Sequence, residues 1–346
     1  MPPPEPASNP DGRDVIVVGA SMGGVEALRS LLRRLPADLP ASVFIVLHTA
    51  DHDPGLLTQV LGDTSSLPVL TAIEGHCHSP GCIYVAPPDH HLLVGHDHVH
   101  VRRGPRENGA RPAIDPLFRS AAVSCTTRVI GVVLTGLLDD GTSGLQAIKR
   151  CGGLAIVQDP SDAAYAQMPR SAMQHVAVDH VLPLGEIAAA LGTLALDPRP
   201  PAGEVPEDMR LEALIAAQEF RAMEHPDREP TLSPITCPEC HGSLREIRDG
   251  ELLRFRCHTG HAFTLDALGV LQADAWERAL YGALRAQQER AQLVHRMAAE
   301  ARRHGAARSA AQLQQRADSY EEGAELLRRL IGHGTGAAAA SEASER

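Results

Sequence analysis

Ser21 is the residue whose setting points most directly to chemistry. It follows the apolar run Val15-Ile16-Val17-Val18-Gly19-Ala20 and precedes Met22-Gly23-Gly24. That order fits a buried strand turning sharply into a helix with the serine at the bend. There the hydroxyl is pushed out at the carboxyl end of a sheet, and backbone N–H groups of the next helix face whatever it attacks. Gly19 permits the tight turn in this reading, while Gly23 and Gly24 leave room for close approach. Glycine-rich turns also cradle phosphates. A dinucleotide site, however, needs an acidic residue closing the second strand. Here Val43-Phe44-Ile45-Val46-Leu47 ends in His48, and Gly24 is followed by Val25 and Glu26 rather than a Walker A lysine. A serine and a histidine at the ends of successive strands suit nucleophilic hydrolysis. A third apolar run, Val129 to Leu134, leads into Thr135-Gly136-Leu137-Leu138-Asp139-Asp140-Gly141, where either aspartate could orient the imidazole. The competing reading makes His48 and the aspartates strand-end and helix-cap residues.

A second constellation lies far downstream. Cys237-Pro238-Glu239-Cys240 is followed after sixteen residues by Cys257 and then, after three more, by His261. Two knuckles around a short hairpin-like stretch, Leu244 to Phe255, have the spacing of a tetrahedral structural zinc site. Four protein ligands would close such a site to chemistry. His258 competes for the fourth place, but the Gly260 turn favours His261. A redox Cys-x-x-Cys or metal-free reduced cysteines are the alternatives. Other conspicuous residues carry less. His96, His98 and His100 alternate on a hairpin arm and read as a solvated strand face. His76, Cys77, His78 and Cys82 read as surface, and Cys125 and Cys151 as buried reduced thiols.

The elements that must position these groups are those of an α/β protein. The predicted fold is a doubly wound, mostly parallel, Rossmann-like sheet, with a small zinc-ribbon-like module and a carboxyl-terminal helical hairpin. Only 3% of the 346 residues are aromatic, so the core is built from Val, Leu, Ile and Ala. That composition suits a parallel sheet covered on both faces. A net charge of −11 is a poor match for nucleic acid. No apolar stretch is long enough to cross a bilayer, and residues 1–12 lack the apolar segment of a signal peptide, so a cytoplasmic protein without membrane insertion is expected.

Six motifs in order resemble the catalytic domain of the CheB family, the chemotaxis protein-glutamate methylesterases. They are Gly19 to Gly24, Val46-Leu47-His48, Tyr84-Val85-Ala86-Pro87, Arg111 to Ser120, Leu134-Thr135-Gly136 through Asp140-Gly141, and Met168-Pro169-Arg170. The resemblance spans residues 13–193. It implies Ser21 as nucleophile, His48 as base and Asp140, rather than Asp139, as the carboxylate orienting the histidine. It implies hydrolysis of glutamate γ-methyl esters on chemoreceptor cytoplasmic helices, with methanol leaving and no cofactor for catalysis. The oxyanion donors would be the backbone N–H groups of Met22 and Leu137. Where many family members carry Thr after the nucleophile this chain has Met22, and where they often read Met-Gly-Asn-Asp it has Leu137-Leu138-Asp139-Asp140. The family's usual receiver domain has no counterpart in the dozen residues before the first strand, so the chain reads as a receiver-less form regulated by a separate partner, by the carboxyl-terminal region or by substrate supply. The Pro234 to His261 segment is similar to the zinc-ribbon-like tail of some receiver-less members. Arg111 and Asp115 belong to a family motif, and they read as caps of a helix starting near Pro116.

The expected organisation is a disordered tail at 1–12, the catalytic domain at 13–193 and a linker with a short helix at 194–230. A zinc-ribbon-like module follows at 231–264, then a helical hairpin at 265–331 and a disordered tail at 332–346. The hairpin should break at Arg303-His304-Gly305 and close along Trp276, Leu280, Leu284, Leu326, Leu327 and Leu330; its exposed face could alternatively dock a partner. Two other functions compete with the methylesterase: a catalytically silent scaffold binding receptors or signalling partners, and an esterase for a small diffusible ester.

Overall fold

The computed structural model describes residues 11–48, 56–217, 231–250 and 252–343, with side chains to residue 332. Most of the expected 1–12 tail and the later part of the expected linker lie outside the described residues.

The strands are β1 (Val15–Ala20), β2 (Ser42–Leu47), β3 (Val69–Thr71), β4 (Ile83–Val85), β5 (His91–Val94), β6 (Val99–Arg102), β7 (Val129–Val133), β8 (Leu154–Gln158), β9 (His180–Leu182), β10 (Leu232–Thr236), β11 (Ser243–Asp249), β12 (Leu252–Cys257) and β13 (Ala262–Thr264). The helices are α1 (Gly24–Leu32), α2 (Leu56–Gly62), α3 (Ile114–Cys125), α4 (Thr142–Arg150), α5 (Gln167–His175), α6 (Leu184–Leu194), α7 (Glu207–Ala216), α8 (Leu265–Arg303) and α9 (Ala307–Ala343).

The main sheet runs β3-β4-β2-β1-β7-β8-β9, and its pairings are all parallel. Alternate residues of β1 serve opposite faces. Val15 and Val17 point into a core with Ile114, Phe118 and Leu145, whereas Ile16 and Val18 join Leu28, Leu31 and Leu191. Fully apolar strands therefore follow from burial on both faces. The strand order reverses between β1 and β7, and at such a reversal the connections leave to opposite faces and open a crevice at the carboxyl ends. Ser21 follows β1, His48 follows β2, and the Thr135–Gly141 loop lies just beyond β7.

Gly19 differs from its expected role. It lies within β1, and a Cβ there would stand 2.3 Å from Ile114 Cγ2. The missing side chain admits the start of α3, not the turn. Gly23 supplies the turn, with φ of 75°.

A compact unit extends to Leu268. It includes the antiparallel sheet β10-β11-β12-β13, so the catalytic domain, the linker helix and the ribbon are not separate bodies. Within the expected linker, α7 packs on α3. Its Glu212 enters a buried group of charges with Arg119 at 4.0 Å, Arg254 at 3.1 Å and Arg256 at 2.6 Å. Glu107 pairs with Arg119 and lies 3.5 Å from Arg256. Burial alone would raise Glu107 and Glu212; the guanidiniums overcome it and hold both below the ordinary carboxylate range. Removing one partner of such a group strands the others in low dielectric, which makes the ribbon hard to detach.

The second unit begins at Gly269 and contains most of α8 and all of α9. Gly305, with φ of 74°, makes the break between the helices. The seam differs from the expected one. Ala291, Val294 and Ala298 are buried, as are Ala310, Ala317 and Ala324 at intervals of seven, whereas Trp276 is 52% exposed, Leu326 59% and Leu330 45%. Small side chains let two helices approach closely, and larger ones are then displaced to the flanks. Leu280, Leu284 and Leu327 are half-buried. The tail expected from Gly332 is helical to Ala343, in keeping with the helix preference of its alanines.

Candidate active site

The three strand ends bring Ser21, His48 and Asp140 together. Ser21 Oγ lies 3.1 Å from His48 Nδ1, and His48 Nε2 lies 2.7 Å from Asp140 Oδ2. Since a carboxylate only accepts, Nε2 carries the hydrogen in the neutral ring and Nδ1 keeps the lone pair that can take the serine proton. Neighbouring strands set the register: Ala20 of β1 pairs with Leu47 of β2, so the next residue of each, Ser21 and His48, stand side by side. On the other flank, Ser21 N–H donates to Thr135 O at 3.0 Å, and Thr135 Oγ1 donates to Met22 O at 3.0 Å. A Cβ on Gly136 would stand 2.8 Å from Ser21 Cβ and 2.0 Å from Met168 Sδ. Only glycine fits there.

Asp140 is buried and receives five N–H groups. Oδ2 accepts from His48 and from Ile114 N–H at 2.7 Å; Oδ1 accepts from Asn108 Nδ2 at 3.0 Å, Asp115 N–H at 3.2 Å and Gly141 N–H at 3.1 Å. Burial would raise this carboxyl, but the His48 bond and charge, with Ile114 and Asn108, pull it down to about 2. Asp115 is its counterpart. Its Oδ1 accepts from Gly141 N–H at 3.1 Å and Gly144 N–H at 2.7 Å. It thus caps α4, the helix after the Asp140 loop, while Asp140 caps α3, the helix that carries Asp115. The expected cap role is therefore corrected: Asp115 closes the neighbouring helix, not its own. Burial and the Asp140 charge push Asp115 up to about 8. Arg111 also does not cap the helix; its Nε lies 2.8 Å from Asp89 Oδ1 and its Nη1 donates to Gly104 O at 2.7 Å.

Asp139 turns away from His48 and accepts from Thr264 Oγ1 at 2.7 Å; burial pushes it up to about 6. Of the two aspartates, Asp140 is the one bonded to His48. Met22 and Leu137 border the site with half- and part-exposed side chains, and among the described residues their backbone N–H groups have no internal partner. The Leu138 N–H is engaged by Gln167 Oε1 at 2.9 Å.

Asn108 and Thr264 went unnoticed in the sequence. The Asn108-Gly109 pair, both with positive φ, is a tight-turn signal, but nothing in the chain order says that the turn lies against Asp140.

The four distant ligand candidates also converge, all ligand atoms lying within 4.8 Å of one another. Cys240 Sγ is 3.7 Å from Cys257 Sγ, and His261 Nδ1 is 3.5 Å from Cys257 Sγ and 3.8 Å from Cys237 Sγ. Tetrahedral zinc with ordinary bond lengths requires about 3.8 Å between sulfurs and about 3.6 Å between sulfur and nitrogen. The donor set fits. His258 lies outside it, its ring filling the space that a side chain on Gly242 would take, and Gly260 makes the turn with φ of 100°. Among the described residues no other such cluster occurs. His98 and His100 instead stack edge to face at 4.6 Å. His78 is not the surface residue expected: its Nδ1 lies 3.2 Å from Ser42 Oγ and its ring packs on Phe44.

A serine, a histidine and a buried carboxylate thus meet at the carboxyl ends of a doubly wound parallel sheet, in the chain order Ser, His, Asp, an arrangement of the serine-hydrolase class. The chain belongs to the CheB methylesterase family, whose model matches residues 16–191. A Leptospira interrogans protein provisionally named protein-glutamate methylesterase/protein-glutamine glutaminase is 40% identical over 176 residues, 51% of this chain and 91% of that one. A Methanosarcina mazei protein-glutamate methylesterase/protein-glutamine glutaminase is 39% identical over 184 residues, 51% of this chain and 50% of that one. Among solved structures, the Thermotoga maritima CheB methylesterase catalytic domain superposes with a TM-score of 0.50 at 32% identity, covering 52% of this chain and 98% of that one. The ribbon and the hairpin lie beyond the matched residues.

Proposed function

We infer that this chain is a protein-glutamate methylesterase that hydrolyses glutamate γ-methyl esters on chemoreceptor cytoplasmic helices, in the cytoplasm, with Ser21, His48 and Asp140 as its triad. The observation that carries the reading is the continuous bond chain from Ser21 Oγ through both ring nitrogens of His48 to Asp140. Ser21 Oγ attacks the ester carbonyl as His48 Nδ1 takes its proton. The tetrahedral oxyanion is stabilised by the free N–H groups of Met22 and Leu137, each such donor contributing on the order of 100- to 1,000-fold in turnover. The protonated imidazole, stabilised by Asp140, returns its proton to the departing methoxide. Water activated by the same nitrogen then cleaves the glutamyl-serine ester, leaving a carboxylate and so adding one negative charge to the receptor.

The rim suits a helix surface better than a buried small ligand: Met22, Leu137 and Tyr165 are exposed beside Ser21. Cys237, Cys240, Cys257 and His261 would hold a structural zinc ion, fixing the β10–β13 sheet. No helix among the described residues is long and apolar enough to cross a membrane, in keeping with a substrate reached from the aqueous side. A separate regulator would find Trp276, Leu326 and Leu330 exposed on the hairpin. Methanol release from a methylated chemoreceptor fragment tests the assignment: turnover by the wild-type chain that vanishes in Ser21→Ala supports it, and turnover on small methyl esters with none on the receptor fragment overturns it.

A further inference from the structure

Asn108 joins the two chemistries of the first unit. Its Nδ2 donates to Asp140 Oδ1 at 3.0 Å and to Asp115 Oδ2 at 3.3 Å. Its Oδ1 accepts from Thr264 N–H at 2.9 Å, and its own N–H donates to Ala262 O at 2.8 Å. One end of the amide therefore rests on the carboxylate beside His48 and the other on β13, which starts directly after His261. The Thr264 hydroxyl adds a second tie, donating to Asp139 Oδ1 at 2.7 Å while accepting from Ala267 N–H at 3.2 Å. In this way β13 grips Asp139 and, through Asn108, Asp140.

We propose that Asn108 is a positioning residue for Asp140, and that the Cys237, Cys240, Cys257 and His261 cluster acts through β13 to keep it in place, making the ribbon an intramolecular activator of the esterase. The proposal rests on the triad reading given above. Thr264 N–H dictates which end of the amide faces the carboxylate: with Oδ1 held on β13, Nδ2 must point to Asp140. Were the amide free to rotate, its oxygen would face a carboxylate oxygen and repel it. The metal cluster bears on this because the Cys257–His261 turn, closed by Cys257 N–H to His261 O at 2.9 Å, leads straight into β13. A metal that fixes both ends of that turn fixes the start of the strand.

Several groups besides Asn108 face Asp140: His48 at the end of β2, Asp115 on α3 with Arg119 behind it, Asp139 in the same loop, and His91 on β5, whose Nδ1 accepts from Ala113 N–H. Burial lowers His91 below the ordinary histidine value, and Asn108 is the neutral side-chain donor to Asp140. Losing it leaves more of the Asp140 charge acting on the imidazole. The pH profile of the base then departs from that of the wild-type chain.

The test is the pH dependence of Ser21 labelling by a fluorophosphonate in the full chain, read by mass spectrometry, together with the low-field proton resonance of the imidazole N–H that faces Asp140. Asn108→Asp keeps a residue tolerant of the left-handed turn, where φ is 51°, and keeps an acceptor for β13, but it turns the donor to Asp140 into an acceptor. Asn108→Gly keeps the turn and removes the amide, and it carries the measurement if the aspartate variant fails to fold. Both should label about 10- to 100-fold more slowly at neutral pH, the span of a hydrogen bond to a charged group. Their pH profiles should depart from that of the wild type, further for aspartate, and the low-field resonance should shift. Zinc removal from the wild-type chain by a chelator should move rate and resonance in the same direction as the variants do. Variants with the wild-type profile and resonance would overturn the positioning role; a chelated chain that labels like the zinc-loaded one would overturn the link to the ribbon. A wild-type chain that takes no label on Ser21 would instead remove the nucleophile, and the inference with it.

Discussion

Replacing Asp140 by asparagine changes one atom at the point where five N–H groups converge. Oδ2 receives His48 and Ile114; Oδ1 receives Asn108, Asp115 and Gly141. An amide offers one oxygen and one NH2 group, so one of these two sets must meet a donor. Three donors hold one side and two the other, so the NH2 group is driven toward His48. The imidazole must then accept at Nε2 and carry its hydrogen on Nδ1, where it can no longer take the serine proton. In the serine-protease triad the same exchange costs about 10,000-fold in kcat, or about 5.5 kcal/mol at 1.36 kcal/mol per decade. A loss of that order is expected here, and most of it should fall on the rate constant. KM should change little, because Asp140 is buried and does not face the substrate. Folding should weaken as well. The shift of Asp140 from 3.8 to about 2 represents roughly 2 kcal/mol of preference for the charged form. That contribution is present above the unfolded value and is lost as pH falls through the folded one. Steady-state methanol release and urea unfolding at neutral pH measure the two effects. An Asp140→Asn chain within about tenfold of wild type in kcat would refute the tautomer argument.

Three further outcomes are expected. Gly136→Ala should abolish turnover while leaving the sheet folded, because the added carbon meets Met168 Sδ at 2.0 Å and Ser21 Cβ at 2.8 Å; fluorophosphonate labelling near the wild-type rate would contradict it. Asp139→Asn should stabilise the protein above neutral pH. Burial raises Asp139 from 3.8 to about 6, so its neutral form is favoured on folding and stability is lost as pH rises through the folded value. The change corresponds to at most about 3 kcal/mol, and the gain should disappear below about pH 4, the ordinary carboxylate value; unfolding curves at both pH values decide it. Metal analysis of the purified chain should find one zinc per chain, lost in Cys257→Ser, whereas full occupancy in that variant would contradict the four-ligand site.

The sequence was most legible where local chemistry and topology coincide. Apolar strands with a serine, a histidine and an aspartate after them needed only the parallel order of a doubly wound sheet to bring the three together. Cys237, Cys240, Cys257 and His261 were legible because turn geometry restricts the reach of such knuckles. What escaped was long-range. Gly19 looks like a turn residue, yet its role depends on Ile114 about a hundred residues later. Asp115 sits at the start of its own helix but caps α4, since helix packing rather than sequence proximity selects the amide it meets. Glu212 lies in what reads as linker, and only the fold shows it compensating three arginines from two other elements. The hairpin seam departs from the expected one because leucine and tryptophan carry the stronger hydrophobic signal, whereas the buried positions are alanines repeating every seven residues.

The central claim is that Ser21 forms a covalent glutamyl ester during turnover. Acid quenching of the full chain during hydrolysis of a methylated receptor fragment, followed by peptide mass spectrometry, tests it most directly. The account predicts methanol release and a glutamyl adduct on the peptide containing Ser21, both absent in Ser21→Ala. Methanol release without an adduct, or sustained release by Ser21→Ala, would contradict it.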